Sequence, residues 1–457
     1  MILGKDNIER MLEMSEKFGL LAVCGALALA VQAAPVKVEV AHPERYGCGE
    51  TAVFAVTLGN EKGVPTNGLV TAVLSNYGTK VVSSNVFDLA RGPSFSVSGT
   101  LDEPGFLLLT LSGKAVDRNW GGGTFVTSVA YEPEKVRTGA PKPADFDAYW
   151  DGELARLERE VPLDVRLEPC EKYSNEKRVL SRVSFATFRG RRVWGFLSEP
   201  RDRSRGPFPT RVNVPGAGPG QCAFNAEGDA GEIVLHLNVH YYEPAFERGG
   251  NGEAQGEEER QLAAALGLEP RTYPLIGVER SREDCFYHDA VVGLVRAVNW
   301  LHAREGVDRS RFTYEGTSQG GGFGLILAGL SGRFTRLVAY VPALCDPCGY
   351  KAGRRAGWPR FGDFEGYAPG DFAKAEALAP YFDAAHFATR VTCPVRVVAG
   401  LSDSVCPPAS CTTAYNACPS KDKRLVLVPN MTHAVFGDQY ARWNAWSRTG
   451  GTPSRAK

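Results

Sequence analysis

A serine hydroxyl is a poor nucleophile until a base takes its proton and a carboxylate orients that base. Gly316-Thr317-Ser318-Gln319-Gly320 offers such a serine between two glycines. The glycines leave room for a tight strand-to-helix turn that lifts the hydroxyl clear of the backbone. On such a turn the partners follow in chain order, an Asp or Glu and then a His. The histidines after Ser318 are His386 and His433. His433, in Pro429-Asn430-Met431-Thr432-His433, comes just after an apolar stretch and is the candidate base. His386, in Phe382-Asp383-Ala384-Ala385-His386-Phe387, is expected to pack or cap. Asp403, in Gly400-Leu401-Ser402-Asp403, follows the preceding apolar stretch and is the candidate acid. The backbone N–H of Gln319 is the first expected oxyanion donor. Ala217 is the second, in the loop Pro215-Gly216-Ala217-Gly218-Pro219-Gly220. That loop lacks the G-K-[ST] ending and the dinucleotide-binding spacing, so it is not read as a phosphate cradle.

These residues need strands and helices to hold them. Apolar runs predict strands at Arg211–Val214, Ile233–Val239, Phe312–Glu315, Leu337–Val341, Val395–Ala399 and Leu425–Val428. Helical spacing predicts helices over Phe146–Glu160, Ala290–Leu301 and Phe323–Leu330. A hairpin is expected from Val179–Thr187 and Val193–Leu197. Strands alternating with helices predict an α/β fold with a mostly parallel sheet covered on both faces, the α/β-hydrolase arrangement, over residues 143–445. Residues 245–284, rich in Gly, Glu and Arg, read as a long loop or lid, and residues 446–457 as a polar tail. Upstream, alternating apolar positions such as Phe54, Val56 and Leu58 predict an all-β, immunoglobulin-like sandwich over residues 35–135, with a linker near 137–143. A spacer role is the plainer expectation for it. Carbohydrate binding would need exposed aromatics, for which Tyr77 and Trp120 are the candidates.

The composition limits the partners. The 457 residues carry a formal net charge of +0, with 43% hydrophobic and 23% charged residues. No sustained basic excess points to nucleic acid. Lys5, Arg10 and Lys17 precede an apolar run from Phe18 to Val31, and small residues around Val31-Gln32-Ala33 follow. This is the order of a secretory signal peptide over residues 1–34, so a secreted or periplasmic protein is expected. The run is short for a membrane span. Leu21-Ala22-Val23-Cys24 only loosely fits a lipidation site. Cys345 and Cys348 form a single C-x-x-C without the second pair a zinc site requires, so buried or disulfide-bonded cysteines are expected and no metal.

The extended segment Gly316-Thr317-Ser318-Gln319-Gly320-Gly321-Gly322 resembles the nucleophile turn of the acetyl xylan esterase and cephalosporin C deacetylase family. Phe146-Asp147-Ala148-Tyr149-Trp150-Asp151, Val341 to Asp346, Tyr381-Phe382-Asp383 through Cys393-Pro394, and Gly400 to Pro408 with Tyr415-Asn416 resemble four further blocks of it. The resemblance covers about residues 143–440. It implies hydrolysis of O-acetyl groups on small acetylated sugars and xylo-oligosaccharides by a Ser–His–Asp triad without cofactor, with Ser318, Asp403, His433 and the donor Gln319 in the family's places. Many members are hexamers, which admits a homo-oligomer here. Pro215-Gly216-Ala217 stands where the family has His-Gly-Tyr, Asn238-Val239-His240-Tyr241 where it has Asp-x-Arg-Gly, and His433-Ala434 where it has His-Glu. These departures touch the pocket and spare the triad. Two other readings compete: a general esterase or peptidase on the same fold, and a non-catalytic carbohydrate-binding protein.

Overall fold

The computed structural model describes residues 35–451 except 60–62, 79, 118–123, 221–230, 248–249 and 362–369. The expected leader, Trp120 and the last residues of the expected tail lie outside the described residues. The chain begins with β1 (Val36–Glu39), β2 (Ala52–Leu58), β3 (Leu69–Ser75), β4 (Val81–Asp88), β5 (Ser94–Gly99), β6 (Gly105–Ser112) and β7 (Thr124–Tyr131). They form two antiparallel sheets, ordered β1-β2-β5 and β4-β3-β6-β7. In β2, Ala52, Phe54, Val56 and Leu58 all point inward. They share one apolar core with Val70, Ala72, Leu74, Leu107, Leu109 and Leu111 of the other sheet. Strands β6 and β7 break this alternation, because nearly every residue is buried. A strand covered on both faces reads as a continuous apolar run. Their second face sets Phe106, Leu108, Val126 and Ala130 against Leu401 and Ala409, far along the chain.

The expected linker is packed against the rest of the molecule. Gly139 donates its N–H to Asp346 Oδ1 at 2.6 Å. A Cβ on Gly139 would lie 2.0 Å from Cys348 O, so only glycine fits there.

A nine-stranded sheet follows, from β8 (Val165–Pro169), β9 (Arg178–Ala186), β10 (Arg192–Pro200), β11 (Phe208–Asn213), β12 (Ile233–Leu237), β13 (Val307–Thr317), β14 (Arg336–Tyr340), β15 (Val395–Gly400) and β16 (Lys423–Val428). Its order is β16-β15-β14-β13-β11-β12-β10-β9-β8. Strands β11 to β16 pair in parallel, and β8 to β10 extend the sheet antiparallel. The helices are α1 (Phe146–Glu160), α2 (Gly252–Ala265), α3 (Phe286–Ala303), α4 (Gln319–Ser331), α5 (Asp371–Leu378), α6 (Ala384–Ala388), α7 (Pro408–Ala417) and α8 (Gly437–Thr449). Side chains alternate across a strand. Leu337 and Ala339 accordingly join the large core beneath α3 and α4, while Val338 and Tyr340 join Trp443 and Trp446 of α8. Helices therefore cover both faces, as the α/β expectation requires.

Two expectations are corrected. Residues 245–284 are not one long loop: Glu, Gln and Ala carry α2 through its glycines, braced by Glu257 with Arg260 and Gln261. Helix α8 also runs past residue 446, and Trp446 and Ser447 are buried where a polar tail was expected.

Helix α3 meets α1 through a buried charge cluster. His288 bonds Asp289 Oδ1 at 2.8 Å and Glu153 Oε2 at 2.9 Å. Burial pulls the His288 pKa down, but the bonds to both carboxylates outweigh it and hold the pKa above the ordinary value. A histidine raised by folding gives stability that is complete below its unfolded pKa of about 6.5. That stability is lost as the pH climbs through the folded value. The unfolding midpoint is expected to drop as the pH rises above about 6.5, and the drop should flatten in His288→Gln. Equal slopes in a thermal titration of both proteins would remove His288 from the account.

Candidate active site

The topology puts the candidate residues at one edge. From β11 the chain steps outward to β12, then returns to place β13 on the other side of β11. Ligands of open α/β sheets bind at the carboxyl ends of strands beside such a reversal. The 215–220 loop leaves β11 there, and Ser318 follows β13. Asp403 follows β15 and His433 follows β16.

Ser318 stands between β13 and α4 with φ 58° and ψ −122°, a conformation costly for any residue with a side chain. Its N–H bonds Tyr340 O at 2.9 Å, and its C=O accepts from Ala343 N at 2.9 Å. The flanking glycines are steric necessities. A Cβ on Gly316 would sit 2.4 Å from Gly320 O, and one on Gly320 would sit 1.9 Å from Val214 O.

The three candidate side chains meet. His433 Nε2 lies 2.9 Å from Ser318 Oγ, and His433 Nδ1 lies 2.8 Å from Asp403 Oδ2. The other carboxylate oxygen, Asp403 Oδ1, accepts from Val405 N at 2.8 Å and Cys406 N at 3.0 Å. Asp403 is fully buried, whereas His433 is partly open to solvent. The arrangement can pull a proton from Ser318 and hold the resulting imidazolium beside a carboxylate. The neighbouring thiol of Cys406 is no rival, because burial and Asp403 push its pKa well above the ordinary range.

The oxyanion candidates flank the serine. Gln319 opens α4, where free backbone N–H groups favour negative charge. Its side-chain Oε1 accepts from the hydroxyls of Tyr273 at 2.7 Å and Tyr287 at 2.9 Å. The loop bearing Ala217 passes beside Ser318: a Cβ on Gly216 would be 3.9 Å from Ser318 Cβ. His240 Nε2 holds Gly218 O at 2.8 Å, and Glu258 of α2 holds His240 Nδ1 at 2.6 Å. Sequence reasoning missed Tyr273, Tyr287 and Glu258, because each works across a distance that no local motif records. His240 was noticed only as a departure.

The remaining candidates fall elsewhere. His386 is buried, bonds Pro380 O through Nδ1 at 2.8 Å and meets the Phe146 ring edge-on, which is packing. Cys345 and Cys348 are buried free thiols. No group of three or more His, Cys, Asp and Glu that could hold a metal occurs among the described residues. No helix among them is long and apolar enough to cross a membrane. Tyr77 is 1% exposed, so it cannot serve as a surface platform for sugar.

Residues 131–447 match the family model described as acetyl xylan esterase (AXE1). The chain is 30% identical over 375 residues to acetyl esterase Axe7A of Xylanibacter ruminicola, an alignment covering 80% of each protein. That alignment is longer than the family segment and the residues after it together, so it runs into the N-terminal sheets. Acetyl xylan esterase 1 from Thermoanaerobacterium sp. JW/SL YS485 superposes with a TM-score of 0.56 at 21% identity, over 69% of this chain and 96% of its own. The acetyl xylan esterase from Paenibacillus sp. R4 gives 0.54 at 20% identity, over 69% and 98%. At such identity the two structures speak for the fold alone. The family segment and the curated relative speak for more: this chain is a carboxylic ester hydrolase and belongs to the acetyl xylan esterase family.

Proposed function

We propose that this protein removes O-acetyl groups from acetylated carbohydrates, xylan or xylo-oligosaccharides, through an acetyl-enzyme on Ser318. The observation that carries the reading is the unbroken relay from Asp403 through His433 to Ser318 Oγ. Ser318 Oγ attacks the acetyl carbonyl carbon while His433 Nε2 takes its proton. The tetrahedral oxyanion faces the N–H groups of Gln319 and Ala217, each such donor lowering the barrier by about 3 kcal/mol. Collapse breaks the bond to the sugar oxygen, which leaves with the proton from His433. Water then attacks the acetyl-enzyme, again giving its proton to His433. Acetate departs and Ser318 regains its hydrogen. The steps use only this chain's own groups. The two N-terminal sheets, with their three-and-four-strand split, support an immunoglobulin-like unit before this machinery.

An acyl-length series checks the reading. The kcat/KM for 4-nitrophenyl esters is expected to fall by about tenfold or more from acetate to butyrate, because one added methylene in a fitted pocket already costs about that much. Acetylated xylo-oligosaccharides are expected to release acetate. A flat or rising series, with no acetate released from the oligosaccharides, would overturn the proposal.

A further inference from the structure

The N-terminal sheets touch the catalytic unit at one chemically sensitive place. Tyr77, in the turn after β3, donates its hydroxyl to the backbone O of Asp403 at 2.5 Å. Ser128, on the outer face of β7, donates to the backbone O of Leu401 at 2.6 Å. Tyr77 adopts φ 65°, a conformation a tyrosine rarely takes, and it lies in an apolar cluster with Phe106, Leu108, Val126, Leu401 and Ala409. Burial and the Asp403 charge push the Tyr77 phenol well above its ordinary range, so it remains a donor.

The acid loop gets its other anchors from its own unit. Leu401 N bonds Val428 O at 3.0 Å, and Ser402 N bonds Met431 O at 3.0 Å. Those bonds fix the loop to the strand and turn leading to His433. They leave the carbonyls of Leu401 and Asp403 to be met from the other side, where Ser128 and Tyr77 stand. A buried carbonyl without a donor is costly, and a shift of a few tenths of an ångström at Asp403 is passed directly to His433.

The geometry points to Tyr77 and Ser128 as positioning residues that act through Asp403, making the N-terminal sheets part of the catalytic apparatus and not a spacer. Neither hydroxyl touches the reacting atoms. Their effect is to hold the backbone from which the Asp403 carboxylate reaches His433. The assignment rests on Ser318, His433 and Asp403 being the reacting triad.

The test is a double-mutant cycle on the full chain with 4-nitrophenyl acetate, active sites being counted by a fluorophosphonate label. Tyr77→Phe keeps the ring and its packing and removes only the donor. It is expected to lower kcat per labelled site by about fivefold with KM within about twofold. In an Asp403→Ala background the same change should cost nothing further, because the group it positions is gone. Asn416→Ala, which removes bonds to Pro133 O and Val136 O elsewhere in the same junction, is expected to leave kcat unchanged. Ser128→Ala repeats the cycle on a small side chain if Tyr77→Phe yields too little folded protein. An unchanged kcat in Tyr77→Phe and Ser128→Ala overturns the assignment. So does an equal loss with and without Asp403, or a matching loss in Asn416→Ala. A kcat undiminished by Asp403→Ala alone would instead break the triad reading on which the assignment stands.

Discussion

Ser318→Ala is expected to lower kcat/KM for 4-nitrophenyl acetate by about 10⁵-fold while the chain stays folded. The size follows from the relay. Removing the hydroxyl leaves His433 with no nucleophile to activate, and only the oxyanion donors and substrate binding remain to act on a stray water. The fold should hold because the turn is kept by backbone. Tyr340 O, Ala343 N and the close approach of Gly320 to Val214 are untouched by the loss of one oxygen. Fluorophosphonate labelling should vanish in parallel, and the thermal midpoint should stay within a few degrees. A variant that kept more than a few per cent of the activity would remove Ser318 from its role.

Much of the candidate site was legible in the sequence. The three candidate residues could be brought together because this architecture hangs each of them on the end of a different parallel strand. The end of β13 and nearly all of β15 are buried on both faces and announce themselves as apolar runs, and β16, at the sheet edge, still carries Leu425 to Val428. Helix Phe146–Glu160 has the bounds its spacing predicts. What escaped reading shares a physical cause. Strand β8 is an exposed edge, Val165 to Pro169, so it has no apolar signature. Helix α2 was hidden by glycines that its Glu, Gln and Ala residues outweigh. Tyr273 was read as part of a lid, yet it is buried and bonds the Gln319 side chain. Tyr77 was weighed as an exposed aromatic for sugar. Its contact, Asp403, lies hundreds of residues away, and only the packing of β6 and β7 on the acid loop brings the two together.

Asp403→Asn should be nearly as damaging as the loss of the nucleophile, and the hydrogen bonds around it say why. One side-chain oxygen of Asp403 accepts from two backbone N–H groups, Val405 and Cys406, and the other faces His433 Nδ1. An asparagine there has one acceptor to give. Two fixed donors demand it on the Oδ1 side, since turning the NH₂ toward them would set three donors against one another. The NH₂ must then face His433 Nδ1, and that nitrogen can only accept. The imidazole proton is thereby forced onto Nε2, the atom that should take the proton from Ser318 Oγ. The base is present, well placed and in the wrong tautomer. A fall in kcat of about 10⁴-fold is expected at neutral pH, with KM and the thermal midpoint little changed. Steady-state kinetics beside a melting curve decides the matter. A loss under about tenfold in a folded Asp403→Asn enzyme would mean that another group orients His433.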